Sequence, residues 1–140
     1  MSAASNYLEN KVLDHVLTST GYTAPTTRYL ALFNNTSGSA AANLEAGTLT
    51  DEVSTSGGTL YARKAVTFAA ASSGSSATNA TVTFDAAGAS WGTITHVAVM
   101  DGDTEGAGNV LFWGAVTTSK TIDSGDTFQV SSGNLTVSLA

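Results

Sequence analysis

The sequence predicts a mainly β protein: an antiparallel β-sandwich of jelly-roll type with a short N-terminal α-helix. Three observations predict it. Apolar residues recur at helical spacing only near the start of the chain. Beyond Pro25 they alternate with polar residues, as in half-buried strands. The alternating stretches are separated by turns rich in Ser, Gly, Asn and Ala. At 140 residues the chain fits one domain, large enough to bury roughly two-thirds of its unfolded surface without a disulfide or metal. Residues 1–24 read as helix and linker, and residues 25–140 as the sandwich.

The helix comes first. Leu8, Val12 and Val16 recur every four residues, and Leu13 and Leu17 widen the same face. Lys11, Asp14 and His15 fall on the other side. Asn6 with Glu9 three residues later has the form of a capping box. Gly21 and then Pro25 are the expected stops.

The expected strands are Arg28 to Phe33, Thr59 to Phe68, Thr78 to Phe84, Thr93 to Met100, Asn109 to Val116, Thr127 to Val130 and Asn134 to Leu139. The first is apolar on both faces, which predicts a central position. Phe33, Phe68, Phe84, Phe112 and Phe128 each fall in a different strand, as a sandwich core filled by large rings requires. The stretch from Asn34 to Gly58 is long for a loop. It predicts a short edge strand or an excursion that touches a neighbour.

Composition narrows the function classes. Only 11% of residues are charged, against about 25% in ordinary domains. Such a surface suits packing against other protein, because few ions need desolvating; it equally suits a neutral secreted β domain. Net charge is -6, and Lys11, Arg28, Arg63, Lys64 and Lys120 are too scattered to follow a phosphate backbone. Nucleic-acid binding is therefore set aside. No run of ~20 apolar residues predicts membrane insertion. No basic and then apolar N-terminal segment predicts a signal peptide, so a soluble protein made in the cytoplasm is expected. The chain has no cysteine, which removes thiolate metal sites and thiol nucleophiles.

Few residues invite a chemical reading. Gly88-Ala89-Ser90-Trp91-Gly92 matches the G-x-S-x-G nucleophile pattern, but that pattern needs a strand-to-helix turn. Here a strand follows, so Ser90 reads as a turn residue. His15 and His96 have no spaced partners of the kind a triad or zinc site uses. Asp101, Asp103 and Glu105, with Gly106, resemble the start of a calcium loop. The closing position is Phe112 in place of a bidentate Glu, and a polar hairpin loop is the plainer reading. Trp91 and Trp113 suit either the core or a receptor or partner contact. No cofactor is expected.

Several motifs together carry a resemblance. They are Ser5-Asn6-Tyr7-Leu8-Glu9-Asn10-Lys11, Tyr29-Leu30-Ala31-Leu32-Phe33, and Tyr61-Ala62-Arg63 followed by Ala65-Val66-Thr67-Phe68. Trp91-Gly92-Thr93-Ile94-Thr95-His96-Val97-Ala98, Asn109-Val110-Leu111-Phe112-Trp113-Gly114 and Ser124-Gly125-Asp126-Thr127-Phe128 complete the ordered set. The chain resembles the small virion proteins of tailed bacteriophages classed as tail fibre proteins. The resemblance spans nearly the whole chain. It implies a structural component of the virion surface without enzymatic activity, made in the host cytoplasm and bound to other phage structural proteins.

A fibre needs length, and no repetitive shaft is present. The expected roles are therefore a tail tip or adaptor, or a capsid decoration (cement) protein stabilising the head. A homotrimer is the expected assembly, since closed symmetry multiplies weak contacts. The helix residues Leu8, Val12, Leu13, Val16 and Leu17 are the candidate attachment or oligomer contact; the alternative is that the helix covers one end of its own sandwich. A host-surface receptor, met through Trp91 or Trp113, would make the domain a carbohydrate-binding module.

Overall fold

The computed structural model describes residues 3–139. Its centre is β2 (Arg28–Phe33), the strand whose sequence is apolar on both faces. Leu30 and Leu32 point to one side and Ala31 and Phe33 to the other, each no more than 1% exposed. β2 pairs on one side with β3 (Lys64–Val66) and on the other with β6 (Gly92–Met100). β6 forms a long hairpin with β7 (Val110–Ile122), and β1 (Ala3–Ala4) closes part of the outer edge of β7. The sheet order is β1-β7-β6-β2-β3, antiparallel throughout.

The two faces of this sheet are covered differently. Leu30, Leu32, Val97 and Val99 share the larger core cluster with Val82, Phe84 and Phe128, and Leu135 packs against it. These last residues belong to, or adjoin, two short ribbons. One pairs β5 (Val82–Thr83) with β8 (Gln129–Val130); the other pairs β4 (Ser75–Ala77) with β9 (Thr136–Ser138). The mainly β, antiparallel class with an N-terminal helix is as the sequence predicts. The layer opposite the main sheet, however, consists of two ribbons and not one continuous sheet. Ser- and Gly-rich segments such as Ser72 to Ser76 favour turns and shorten these strands.

Aromatic rings fill the larger core. Tyr61 stacks on Phe84 at 6.1 Å, and Trp91 meets Tyr61 edge-on at 5.5 Å. Phe84 also meets Trp91 and Phe128 at steep angles of 75° and 81°. These are favoured geometries for aromatic quadrupoles.

The long segment after β2 holds a helix, and its return touches the end of β2 through a β-bridge between Phe33 and Glu52. The helix is α2 (Ala40–Ala46), ended by Gly47 in the left-handed conformation at φ 79°. Leu44 is fully buried against Ala31, Phe33, Ala98 and Met100, on the second face of the sheet. Asp51 closes the excursion. Its carboxylate accepts hydrogen bonds from Ser37 N–H at 2.7 Å, Ser37 Oγ at 2.6 Å, Thr36 Oγ1 at 3.2 Å and Asn43 Nδ2 at 3.3 Å. Burial alone would raise the Asp51 pKa, but these donors outweigh it and hold it below the ordinary value.

Thr59 to Phe68 shows how an alternating pattern can exceed its strand. Thr59, Tyr61, Arg63 and Val66 are buried, whereas Leu60 and Ala62 are exposed. Only Lys64–Val66 joins the sheet. Leu60 takes φ 57°, which breaks the extended run.

Candidate functional site

The N-terminal helix, α1, spans Asn6–Leu17. Its cap is Ser5, one residue before the expected Asn6. Ser5 Oγ accepts from Leu8 N–H at 3.3 Å and donates to the Val110 carbonyl, while Ser5 N–H donates to Leu111 O at 3.0 Å. The helix start is thereby bound to β7. It ends before Gly21, because Thr18 takes the C-cap position and both its N–H and hydroxyl donate to Asp14 O.

The predicted apolar stripe divides in two. Leu8 is buried at 6%, and Tyr7 and Val12 pack partly against the main core. Leu13, Val16 and Leu17 are 54%, 70% and 73% exposed. Leu13 and Leu17 lie four residues apart and Val16 three from Leu13, so they form one neighbouring group on the free half of the helix. Leu8 and Val12 therefore anchor α1 to its own chain, and the other three present apolar surface to solvent.

A second open apolar feature lies beside β7. β1 pairs only with Phe112 and Trp113, so no strand covers the outer edge of β7 beyond them among the described residues. A groove of about 600 Å³ runs there, lined by Phe112, Val116, Phe128, Val130 and Val137, with Lys120 as its charged lining residue. A smaller hollow of about 300 Å³, lined by Phe68, Leu111 and Leu139, lies next to it.

The two tryptophans have different settings. Trp91 is 2% exposed and donates from Nε1 to Thr59 O at 2.8 Å, so it is core. Trp113 is half-buried on the α2 side, where Nε1 donates to Glu45 Oε2 at 2.9 Å and the ring lies 6.3 Å from His96. His96 is also bonded to Thr95 Oγ1 at 2.9 Å. Burial lowers its pKa, opposed in part by the charge of Asp51.

Ser90 lies in a turn. Its hydroxyl donates to Ile122 O at 3.3 Å and accepts from Gly92 N–H at 3.2 Å. His15 Nδ1 instead accepts from Tyr22 N–H at 3.1 Å. The glycines of the motif have backbone roles. A Cβ on Gly88 would come within 2.2 Å of Gly58 O, and Gly92 takes φ 75° as it enters β6.

The acidic loop between β6 and β7 is organised by an arginine. Arg63 donates from Nη1 to Gly102 O at 2.8 Å and to Ala107 O at 3.0 Å. Its Nε and Nη2 each lie 2.7 Å from a carboxylate oxygen of Glu52. Glu52 also accepts from Gly106 N–H at 2.8 Å and Tyr61 Oη at 3.1 Å. Both charged side chains are at most 1% exposed. Burial disfavours the Arg63 charge, but the hydrogen bonds and charge of Glu52 outweigh it and raise its pKa. Burial and then the nearby Glu52 charge raise the Tyr61 pKa.

Within that loop, both carboxylate oxygens of Asp101 accept from Asn109, at 2.7 Å each. Glu105 accepts from Thr55 Oγ1 at 3.4 Å, and Asp103 is exposed. Asp101, Asp103 and Glu105 are not brought into one ligand set. Among the described residues no group of three or more His, Asp or Glu is placed to hold a metal ion. No helix among them is long and apolar enough to cross a membrane.

The Glu52–Arg63 pair is absent from the sequence-level site. A signal was available, since Arg63 shares the alternation parity of Thr59 and Tyr61, both buried.

No curated protein matches the sequence. A family model described as Podophage GP4 fiber I protein gp80 matches residues 3–138, from β1 to the end of β9. That match takes in the capping serine, the central strand, the buried ion pair and both ribbons, and the chain belongs to this family of phage tail fibre-type proteins.

Proposed function

We propose that the chain is a non-enzymatic structural protein of the virion surface, a tail-associated tip or adaptor, held in place through the exposed half of α1. The observation that carries this reading is the group Leu13, Val16 and Leu17 on a helix anchored by Leu8. Contiguous exposed apolar surface marks contact sites, and membership of a fibre-type family supplies a class of partner: other phage structural proteins. The domain itself supports a passive role. Its buried polar side chains are tied to one another or to backbone, and Ser90 is bonded to backbone with neither histidine at its hydroxyl.

A homotrimer with few copies per particle is the expected assembly. Capsid decoration would use the same helix at hundreds of copies. Quantitative mass spectrometry of purified virions tests the location. A handful of copies per particle supports the tail reading, hundreds support the capsid reading, and absence from the particle overturns both.

A further inference from the structure

α1 is fastened to β7 at Val110 and Leu111, and the open groove beside β7 is lined along the β6–β7 hairpin from Phe112 to Ile122. His15 of α1 holds Tyr22 through its backbone N–H. The groove extends to Lys120, which pairs with Ile94. Between the Met100 and Ile94 registers the strands run about 20 Å at ~3.3 Å per residue.

The two surfaces also complement one another in charge. Lys120 is the charged residue lining the groove, and among the described residues it forms no ion pair. Asp14 sits beside Leu13 and one turn before Leu17, is exposed, and also forms no ion pair. The edge of β7 is guarded against indiscriminate strand addition by Lys120 and by a register shift between Ile94 and His96. A helix has no backbone ladder to offer that edge, so it suits the groove better than a strand does.

We propose that Leu13, Val16 and Leu17 of one copy dock in the groove of a second copy of this chain, with Asp14 against Lys120. This rests on the reading of α1 as the contact element and names its partner. The contact is heterologous: each copy offers its helix to the groove of the next. Such contacts close into rings when the rotation permits, a trimer included.

The test uses the full chain and its lack of native cysteine. Two single variants, Leu17→Cys and Gln129→Cys, are mixed under mild oxidation. Gln129 lines the groove and is exposed. A disulfide-linked heterodimer is expected to dominate. In sedimentation velocity, Asp14→Lys or Lys120→Glu should each weaken self-association about ten-fold, and the two together should restore most of it.

Three results would overturn the proposal. One is a monomer at every concentration. Another is dominant linkage between two Leu17→Cys chains, which would mean helix-to-helix packing. The third is an oligomer indifferent to the charge changes. If the pure chain is monomeric but helix variants still fail to enter particles, α1 remains the attachment element and its partner is a different virion protein.

Discussion

Helix α2 has seven residues and α1 twelve, yet the shorter one is better integrated. α2 buries Ala40 and Leu44 on the second face of the sheet, and its excursion is closed by the donors around Asp51. α1 buries Leu8 alone and leaves three large aliphatic side chains in solvent. The longer helix has the clearer amphipathic pattern, but such a pattern states only that one face wants cover. It does not say whether the cover belongs to the same chain. The contrast separates a segment that holds the fold from one free to hold something else.

Breaking the anchored side should have the largest effect. Arg63→Ala would leave Glu52 as an uncompensated buried charge and release the carbonyls of Gly102 and Ala107. Urea unfolding should show a loss of about 3–5 kcal/mol. A loss below 1 kcal/mol would mean that water reaches Glu52 easily. Leu44→Ala should follow, at about 2–4 kcal/mol for a fully buried leucine.

Asp51→Asn should cost less, about 1–3 kcal/mol at neutral pH, and it carries a pH signature. The folded-state pKa of Asp51 is lowered. Its contribution is therefore complete above the unfolded value of about 3.9 and is lost as pH falls through the folded value. The stability gap between wild type and Asp51→Asn should close below about pH 4. A gap unchanged down to pH 2 would contradict the assigned role.

The reading from sequence was sharpest where burial and secondary structure share one period. Arg28–Phe33 appears with the expected bounds, and α1 starts within one residue of its expected cap. It was poorest where local preference and pairing diverge. α2 escaped because two turns of Ala-Ala-Ala-Asn-Leu-Glu-Ala carry one large apolar residue and no visible period, although Gly47 marks its end. Phe68, Phe84 and Phe128 each lie just outside the strand segments that pair, because the ladders stop short while the rings still reach the core. In the candidate site the stripe was legible in full. Its division between Leu8 and the exposed trio was not, because it depends on where Ser5 fastens the helix to β7.

The smallest effect on the fold is also the most direct test of function. Leu13→Ser, Val16→Ser and Leu17→Ser combined leave the anchors Leu8 and Val12 in place. The thermal midpoint of the purified triple variant should stay close to that of wild type, as expected of exposed substitutions. The measurement is its abundance in purified particles, by quantitative mass spectrometry against wild type. Loss from the particle with an unchanged midpoint is the predicted result; wild-type abundance would contradict the role assigned to α1.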